Sequence, residues 1–193
     1  MKKIVTIFAF VVFSTLSMMA AEATINYNGE VVKVKGNFPI VGAKAPVARV
    51  TEPDFSIKTI GGKSDAVQVV ATVPSIDTPV CSAQSKRFDD EIKQFDGVDM
   101  TVVSMDLPYA DDRFCKGQGI KNISIASDFA YREVGENYGV IVTDGELKGL
   151  LVRAVFVIGK NGRVVYQEIV PNVGDEPDYK KIMQAIKTAN SHK

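Results

Sequence analysis

The order of apolar and polar residues along the chain predicts alternating strands and helices. Residues 67–73 and 100–105 are almost continuously apolar, which is typical of strands covered on both faces. Directly after the first run, Phe88, Ile92 and Phe95 recur at helical spacing. The chain therefore passes from a buried strand into a helix and then into a second buried strand.

Two turns predict hairpins, one near each end of the chain. Asn28-Gly29 separates the short alternating runs 24–27 and 30–35, and an Asn-Gly pair in that position is the strongest short hairpin signal. A second hairpin is predicted around the turn residues 159–162. A hairpin requires antiparallel pairing, whereas a strand–helix–strand unit requires parallel pairing.

The remaining predicted elements complete a mixed pattern. They are a loop at 36–46, a short strand at 55–59, a polar and broken segment at 106–119, a strand at 123–126, a helix at 131–138, strands at 151–158 and 163–170, and a helix at 178–189. A thioredoxin-like sandwich with a mixed central sheet and an N-terminal β-hairpin satisfies both kinds of pairing. We therefore expect this α/β fold.

The first residues have the pattern of a secretory signal. Two lysines precede the apolar run 4–13, and small residues follow, with Ala-Glu-Ala at 21–23 as a cleavage site. A membrane anchor needs about 20 apolar residues, and polar residues interrupt this run. We predict a signal peptide at 1–23, a thioredoxin-like domain at 24–193, periplasmic or secreted location, and no membrane insertion after cleavage. An uncleaved anchor or a lipid anchor is the alternative.

Charge and residue counts exclude several classes of protein. Lys and Arg number 23, as do Asp and Glu, so no excess of basic residues indicates a nucleic-acid partner. The single histidine is His192, close to the end of the chain, which disfavours histidine-based acid–base catalysis and histidine-rich metal sites. Two cysteines alone cannot form a zinc site. We expect neither a metal nor an organic cofactor.

Cys81 stands where the first buried strand has ended and a helix begins. Thr78 is placed as the residue that caps the helix, and Pro79 suits the first helical position. Free backbone amides and the positive end of the helix dipole meet at that point, so a thiolate there is stabilised and nucleophilic. The alternative is a helix start that carries an ordinary buried cysteine.

Arg153 lies within the apolar run 151–158, which predicts a buried strand. Because arginine keeps its proton in proteins, its burial requires an anion nearby. No carboxylate lies in the run, so a thiolate elsewhere in the fold is a reasonable partner. The alternatives are an arginine on a half-exposed face, or one that pairs with Asp77 or Glu133.

Cys115 lies in the polar segment that follows the second buried strand. Two cysteines in an exported chain can form a structural disulfide, which would stabilise the fold by about 3–4 kcal/mol. The glycine-containing, polar surroundings of Cys115 also suit a segment that can move. Such mobility is what a cysteine needs if it is to reach an oxidised Cys81.

These residues resemble the active site of the peroxiredoxins, in the pattern Pro74-x-x-x-Thr78-x-x-Cys81 with a later Arg153. The whole predicted domain is similar to the thiol peroxidases, which are atypical two-cysteine peroxiredoxins. The segments that carry this likeness are 74–81, 106–108, 113–115, 147–150, 153–155 and 176–179.

The resemblance implies a role for each residue of the site. Cys81 is the peroxidatic cysteine and Cys115 the resolving one. Thr78 and Arg153 hold the thiolate and the peroxide, and Pro74 shields the sulfur from water. Cys81 would be oxidised to a sulfenic acid and then form a disulfide with Cys115.

The resemblance also implies partners for the chain. Members of the family reduce hydrogen peroxide and organic hydroperoxides, use thioredoxin as reductant, and are usually homodimers. An exported chain would instead need a thioredoxin-like reductant outside the cytosol. The alternative functions are an exported domain with a purely structural Cys81–Cys115 disulfide, and a dithiol oxidoreductase, although the latter usually has a Cys-x-x-Cys pair that is absent here.

Overall fold

The computed structural model describes residues 23–191, which form thirteen helices and strands within that range. They are β1 (Ala23–Tyr27), β2 (Glu30–Val34), β3 (Ala48–Thr51), β4 (Ile57–Ile60), β5 (Val67–Thr72), α1 (Pro79–Ile92), β6 (Val98–Ser104), α2 (Pro108–Gln118), β7 (Ser124–Ser127), α3 (Glu133–Asn137), β8 (Ala154–Ile158), β9 (Val164–Ile169) and α4 (Tyr179–Ser191). Apart from Ala23, the predicted signal peptide lies outside the described residues, as does His192. Within the described range, none of the helices has the length and apolar character needed to cross a membrane.

Seven strands form a mixed sheet in the order β4-β3-β7-β6-β5-β8-β9. The central strands β5, β6 and β7 are parallel, and β8, β9, β3 and β4 pair in antiparallel fashion. All six residues of β5 are buried, which explains its continuous apolar run. The predicted mixed sheet of the thioredoxin-like sandwich is confirmed.

The two faces of the sheet pack against different groups of side chains. In β5, Val69 belongs to a cluster that contains Phe88 of α1 and Ile182 of α4, whereas Val70 belongs to a cluster with Phe156 on the other face. This alternation follows from the two-residue period of a strand. Helices α1 and α4 therefore cover one face of the sheet.

The N-terminal hairpin β1–β2 is a separate two-stranded sheet. Its turn residues Asn28 and Gly29 have φ values of 51° and 86°, as a tight hairpin turn with two left-handed residues requires. Asn26 fastens it to the segment after β9: its N–H donates to the Pro171 carbonyl (2.7 Å), and its carbonyl accepts from the Val173 N–H (3.0 Å). The tip of the hairpin is thereby fixed beside that segment.

Several predicted boundaries differ from the structure. The sequence analysis did not identify β3, because a four-residue strand carries too little alternation to be recognised. The segment 106–119 is not a broken loop: Pro108 stands at the start of α2, and Gly119, at φ 65°, caps its end. Strand β8 begins at Ala154, so Arg153 lies immediately before the strand rather than inside it.

Candidate active site

Cys81 occupies the third residue of α1 and is only 1 % exposed. Thr78 precedes the helix in an extended conformation, and Pro79 is its first residue. The first backbone bond that closes the helix runs from the Ser82 N–H to the Thr78 carbonyl (2.9 Å). Proline has no N–H, so the amides of Val80 and Cys81 are the helix-start donors without a partner inside the helix. The predicted position of Cys81 at a helix start is confirmed.

Arg153 is the largest of the fully buried side chains in the described chain, with 1 % exposure. Its Nη2 lies 3.3 Å from the Cys81 Sγ and also donates to the Val173 carbonyl at 3.0 Å. Its Nη1 donates to Oε1 of Gln84. Among residues 23–191, no carboxylate lies within ion-pair distance of Arg153, and its Nε has no hydrogen-bond partner. The guanidinium is therefore a buried cation whose nearest ionisable neighbour is the Cys81 thiol.

The two carboxylates considered as alternative partners of Arg153 are engaged elsewhere. Asp77 pairs with Arg113 at 3.5 Å. Glu133 accepts from the backbone N–H of Arg49 at 2.7 Å and also binds its guanidinium. Both alternatives, and the half-exposed arginine, are wrong for this structure.

Backbone hydrogen bonds fix the position of Arg153. The Thr72 hydroxyl, at the end of β5, donates to the Val152 carbonyl at 2.7 Å. Thr72 also pairs with Ala154 across the sheet, and the Val170 N–H donates to the Arg153 carbonyl at 2.9 Å. Bonds on both sides of residue 153 leave its main chain little freedom, so the side chain is aimed at the start of α1.

Asp106 holds the loop between β5 and α1. Its carboxylate accepts from the Ser75 hydroxyl (2.9 Å), the Ile76 N–H (2.8 Å) and the Ser104 hydroxyl (2.8 Å). Three donors on one carboxylate define the path of the loop that leads to Cys81.

Pro74 and Thr78, the other predicted site residues, lie on this loop. Pro74 is buried, whereas Thr78 is exposed. The Thr78 hydroxyl donates to the Ser75 carbonyl at 3.1 Å and makes no capping bond to α1. The predicted contact between this hydroxyl and the Cys81 sulfur is therefore not formed in this structure.

A cavity of about 610 Å³ opens in front of the helix start. Arg153, Pro74 and Thr78 contribute to its wall, and the hairpin closes one side with Tyr27. The other lining residues are Asn26, Asn28, Gly29, Ser75, Pro79, Val80, Leu147, Leu150, Asn172, Val173 and Gly174. The arginine is charged and much of the rest is apolar, so the cavity suits a small polar group that bears an apolar substituent.

Cys115 lies in the second half of α2, half-buried, and both thiols are free in this structure. Its side chain packs at the edge of the same apolar cluster that contains Cys81. Burial raises the pKa of the Cys115 thiol to about 11, and the carboxylates of Asp111, Asp112 and Asp89 add to the effect. At neutral pH Cys115 is therefore a protonated thiol as long as α2 stays folded.

Sequence reasoning missed two groups that hold Arg153. Gln84 is fully buried and lies three residues after Cys81, on the same face of α1, so helical spacing could have identified it. The Val173 carbonyl left no such signal, because a backbone group carries no sequence information.

Comparisons with known proteins agree with this geometry. The redoxin family model matches residues 40–183. The thiol peroxidase of Aquifex aeolicus is 47% identical over 164 residues, which are 85% of this chain and 96% of that protein. The thiol peroxidase of Campylobacter jejuni is 46% identical over 158 residues, which are 82% of this chain and 89% of that protein. A crystal structure of a peroxiredoxin-like protein from Aquifex aeolicus superposes with a TM-score of 0.84 at 46% identity, covering 86% of this chain and 96% of that one.

The fold defines a thioredoxin-like protein, and the arginine–cysteine pair is its candidate redox site. Within that class, the chain belongs to the peroxiredoxins of the redoxin family, in the thiol peroxidase branch.

Replacing Arg153 with Met is expected to slow the oxidation of Cys81 by hydrogen peroxide by about 10²–10³-fold, because it removes a preorganised donor beside the reacting sulfur. Arg153→Lys should recover only part of the rate, since one ammonium group cannot reach the sulfur, Gln84 and Val173 together. The rate is measured under single turnover by quenched mass spectrometry. The control is Arg113→Met, which removes a 70 % exposed guanidinium. Equal rates for Arg153→Met and Arg113→Met would contradict this assignment.

Proposed function

We propose that this chain is a peroxidase in which the Cys81 thiolate reduces hydroperoxides. One observation carries the proposal: the guanidinium of Arg153 is buried without a carboxylate and lies 3.3 Å from the Cys81 sulfur. A buried cation is stabilised by an anion, and the thiolate is the anion in reach. The cavity reaches Arg153, the member of this pair that lines it, and we propose that a small oxidant approaches the sulfur from there.

The first step is attack of the Cys81 thiolate on one oxygen of ROOH. The S–O bond forms as the O–O bond breaks, and the leaving alkoxide takes up a proton and departs as alcohol or water. Arg153 and the unpaired amides at the start of α1 can stabilise the negative charge that moves onto the oxygens. Thr78 would join them once its hydroxyl turns away from the Ser75 carbonyl, and the buried Pro74 would limit water at the sulfur.

The second step joins the two cysteines. The Cys115 thiol condenses with the Cys81 sulfenic acid, so that the S–S bond forms, the S–O bond breaks and water leaves. The two thiols lie in different helices and are both free here. The disulfide requires its Cα atoms to approach within about 7 Å, so we propose that the first turn of α1 and part of α2 unwind before this step.

A dithiol partner would then restore both thiols by exchange. Before oxidation Cys115 is half-buried and Cys81 is buried, and we propose that in the disulfide, too, the Cys115 sulfur is the one that the incoming thiolate attacks. We propose a thioredoxin-like protein as this reductant, and one outside the cytosol if the chain is exported.

Hydrogen peroxide and organic hydroperoxides are the proposed substrates. Leu147, Leu150 and Val173 contribute an apolar wall to the cavity that Arg153 also lines. The peroxide end of an alkyl hydroperoxide can approach Arg153 while its carbon substituent contacts this wall.

Substitution of each cysteine by serine is predicted to stop a different step of the reaction. Cys81→Ser should abolish the reduction of cumene hydroperoxide with dithiothreitol. Cys115→Ser should still consume one equivalent of peroxide and should accumulate the sulfenic acid on Cys81, which a dimedone probe traps. Peroxide consumption by Cys81→Ser at the parent's rate would contradict the catalytic proposal, and a disulfide that does not cycle with peroxide and dithiothreitol would indicate a structural bond.

We also propose that the chain is exported and that its first 23 residues are removed. The support is the basic start and the short apolar run of the sequence. When the full chain is expressed in a bacterium, N-terminal sequencing of the protein from the periplasmic fraction should give a start between residues 21 and 24 and no methionine start. Phe10→Arg, which interrupts the apolar run, should leave unprocessed protein in the cytosol. Full-length protein found in the cytosol for both would contradict export.

The proposed assembly is a homodimer through an aromatic patch made of Phe55, Leu107, Tyr109 and Phe129. Each of these side chains is at least 48 % exposed, and the rings of Phe55 and Tyr109 lie 5.0 Å apart. Phe55 has φ 68°, a strained conformation for a bulky residue that is kept where the exposed ring has a role. Such a patch on an exported protein fits a second copy of the chain.

Light scattering after size exclusion should give the mass of two chains for the parent protein. Tyr109→Glu should give a single-chain mass, because it places a charge within the patch. Val165→Glu is the control: it introduces the same charge at a 39 % exposed position on β9, away from the patch, and should stay dimeric. The proposed interface would be contradicted if the Tyr109→Glu protein stayed dimeric and the Val165→Glu protein became monomeric.

A further inference from the structure

Asp111 is a buried carboxyl group to which the proposed reaction gives no role. It lies in α2, one helical turn before Cys115, and has 0 % exposure. Neither of its carboxyl oxygens has a hydrogen-bond partner anywhere in residues 23–191. A buried polar group without a partner destabilises the fold by about 1–3 kcal/mol, and by more when it is charged. A residue with that cost calls for a functional explanation.

The charged groups that face Asp111 from neighbouring elements are carboxylates. Asp106 approaches from the end of β6, and Asp77 from the turn before α1. The nearest cation on its own helix, Arg113, pairs with Asp77 instead. Strand β7, which packs against α2, carries no charged residue. Burial, followed by these two carboxylates, raises the pKa of Asp111 to about 8.

We propose that Asp111 is a positioning residue for the resolving step: loss of its proton destabilises the packed form of α2 and releases Cys115 to reach Cys81. The inference deepens the proposed function and rests on it. It concerns the step after peroxide reduction, in which the helix that holds the resolving cysteine must open.

The direction of the pH effect on opening follows from the difference between the pKa of Asp111 in the packed helix and its pKa in the opened helix. In the packed helix the carboxyl keeps its proton up to about pH 8, whereas in an opened, hydrated helix it ionises at about pH 4. At any pH between these two values, opening of α2 is therefore accompanied by loss of the Asp111 proton. The equilibrium constant for opening rises with pH by up to about tenfold per unit across the interval and levels off above it.

Opening of α2 also changes the reactivity of Cys115. Asp111 and Cys115 are spaced by four residues and so lie on one face of the helix. Burial is the main cause of the raised pKa of Cys115, and this burial is lost when the helix opens. Its thiolate can then attack the Cys81 sulfenic sulfur: the S–S bond forms, the S–O bond breaks, and hydroxide leaves and is protonated to water. No further oxidant is needed.

The test compares Asp111→Asn with the parent protein. The variant keeps the shape of the side chain and cannot ionise. Asp112→Asn is the matched control, because Asp112 is the next residue and pairs with Lys116 at 2.7 Å near the surface. One equivalent of peroxide is added to each reduced protein, and the decay of the sulfenic acid into the disulfide is followed by quenched intact-mass measurement across the pH range.

The expected result is a pH-dependent ratio of rates. The resolving rate of the parent divided by that of Asp111→Asn should rise by about tenfold or more between about pH 5 and about pH 8. The same ratio for Asp112→Asn should stay flat. Flat ratios for both variants would overturn the inference. Failure to form sulfenic acid in any variant would instead overturn the proposed function, so the two failures are distinguishable.

A second measurement does not depend on peroxide chemistry. In a Cys81→Ser background, the alkylation rate of Cys115 reports how often α2 opens. Asp111→Asn, and Asp111→Leu if the amide folds poorly, should slow this alkylation at about pH 8 by about tenfold or more beyond any slowing seen at about pH 5. Equal alkylation of the parent and both Asp111 variants at both pH values would contradict the proposal.

Discussion

The structure depends on a buried guanidinium that has no carboxylate partner among residues 23–191. Arg153 is 1 % exposed and is held by a side-chain amide, a backbone carbonyl and the Cys81 sulfur. Leaving a buried charge uncompensated costs about 3–5 kcal/mol, and the Cys81 sulfur is the group beside Arg153 that can carry the opposite charge. Stability of the fold and nucleophilicity of the thiol therefore have the same physical origin.

The surroundings of the pair are arranged to keep it in place. Thr72 and the backbone bonds around residue 153 fix the arginine, and Asp106 fixes the loop that leads to Cys81. The hairpin is fastened to the segment that contains Val173, whose carbonyl accepts from Arg153. One set of hydrogen bonds thus links the N-terminal hairpin, the cavity wall and the charge at its base.

The two cysteines stand in opposite environments, and this difference suits a two-step reaction. Cys81 lies against a cation and the positive end of a helix, whereas burial, followed by nearby carboxylates, raises the pKa of Cys115 and keeps it protonated. Only one of the thiols is then prepared to react with an oxidant. In the proposed mechanism the second becomes reactive after its helix opens, which separates the oxidation of Cys81 from its resolution.

The sequence by itself determined the elements with strong local signals and the candidate residues of the site. The apolar run of β5, the Asn-Gly hairpin, the proline at the start of α1 and the arginine in an apolar run are all local patterns. They established the fold class, the place of Cys81 and the need of Arg153 for an anion.

Only the tertiary structure decided which group lies beside Arg153, because Cys81 and Arg153 are 72 residues apart and local periodicity carries no information about such contacts. For the same reason, only the tertiary structure revealed the contact of Arg153 with the Val173 carbonyl, the burial of Asp111, and the hydrogen bond from the Thr78 hydroxyl to the Ser75 carbonyl. The polar segment 106–119, which contains α2, was not predicted as a helix for the same reason. Its helix depends on packing rather than on an apolar period.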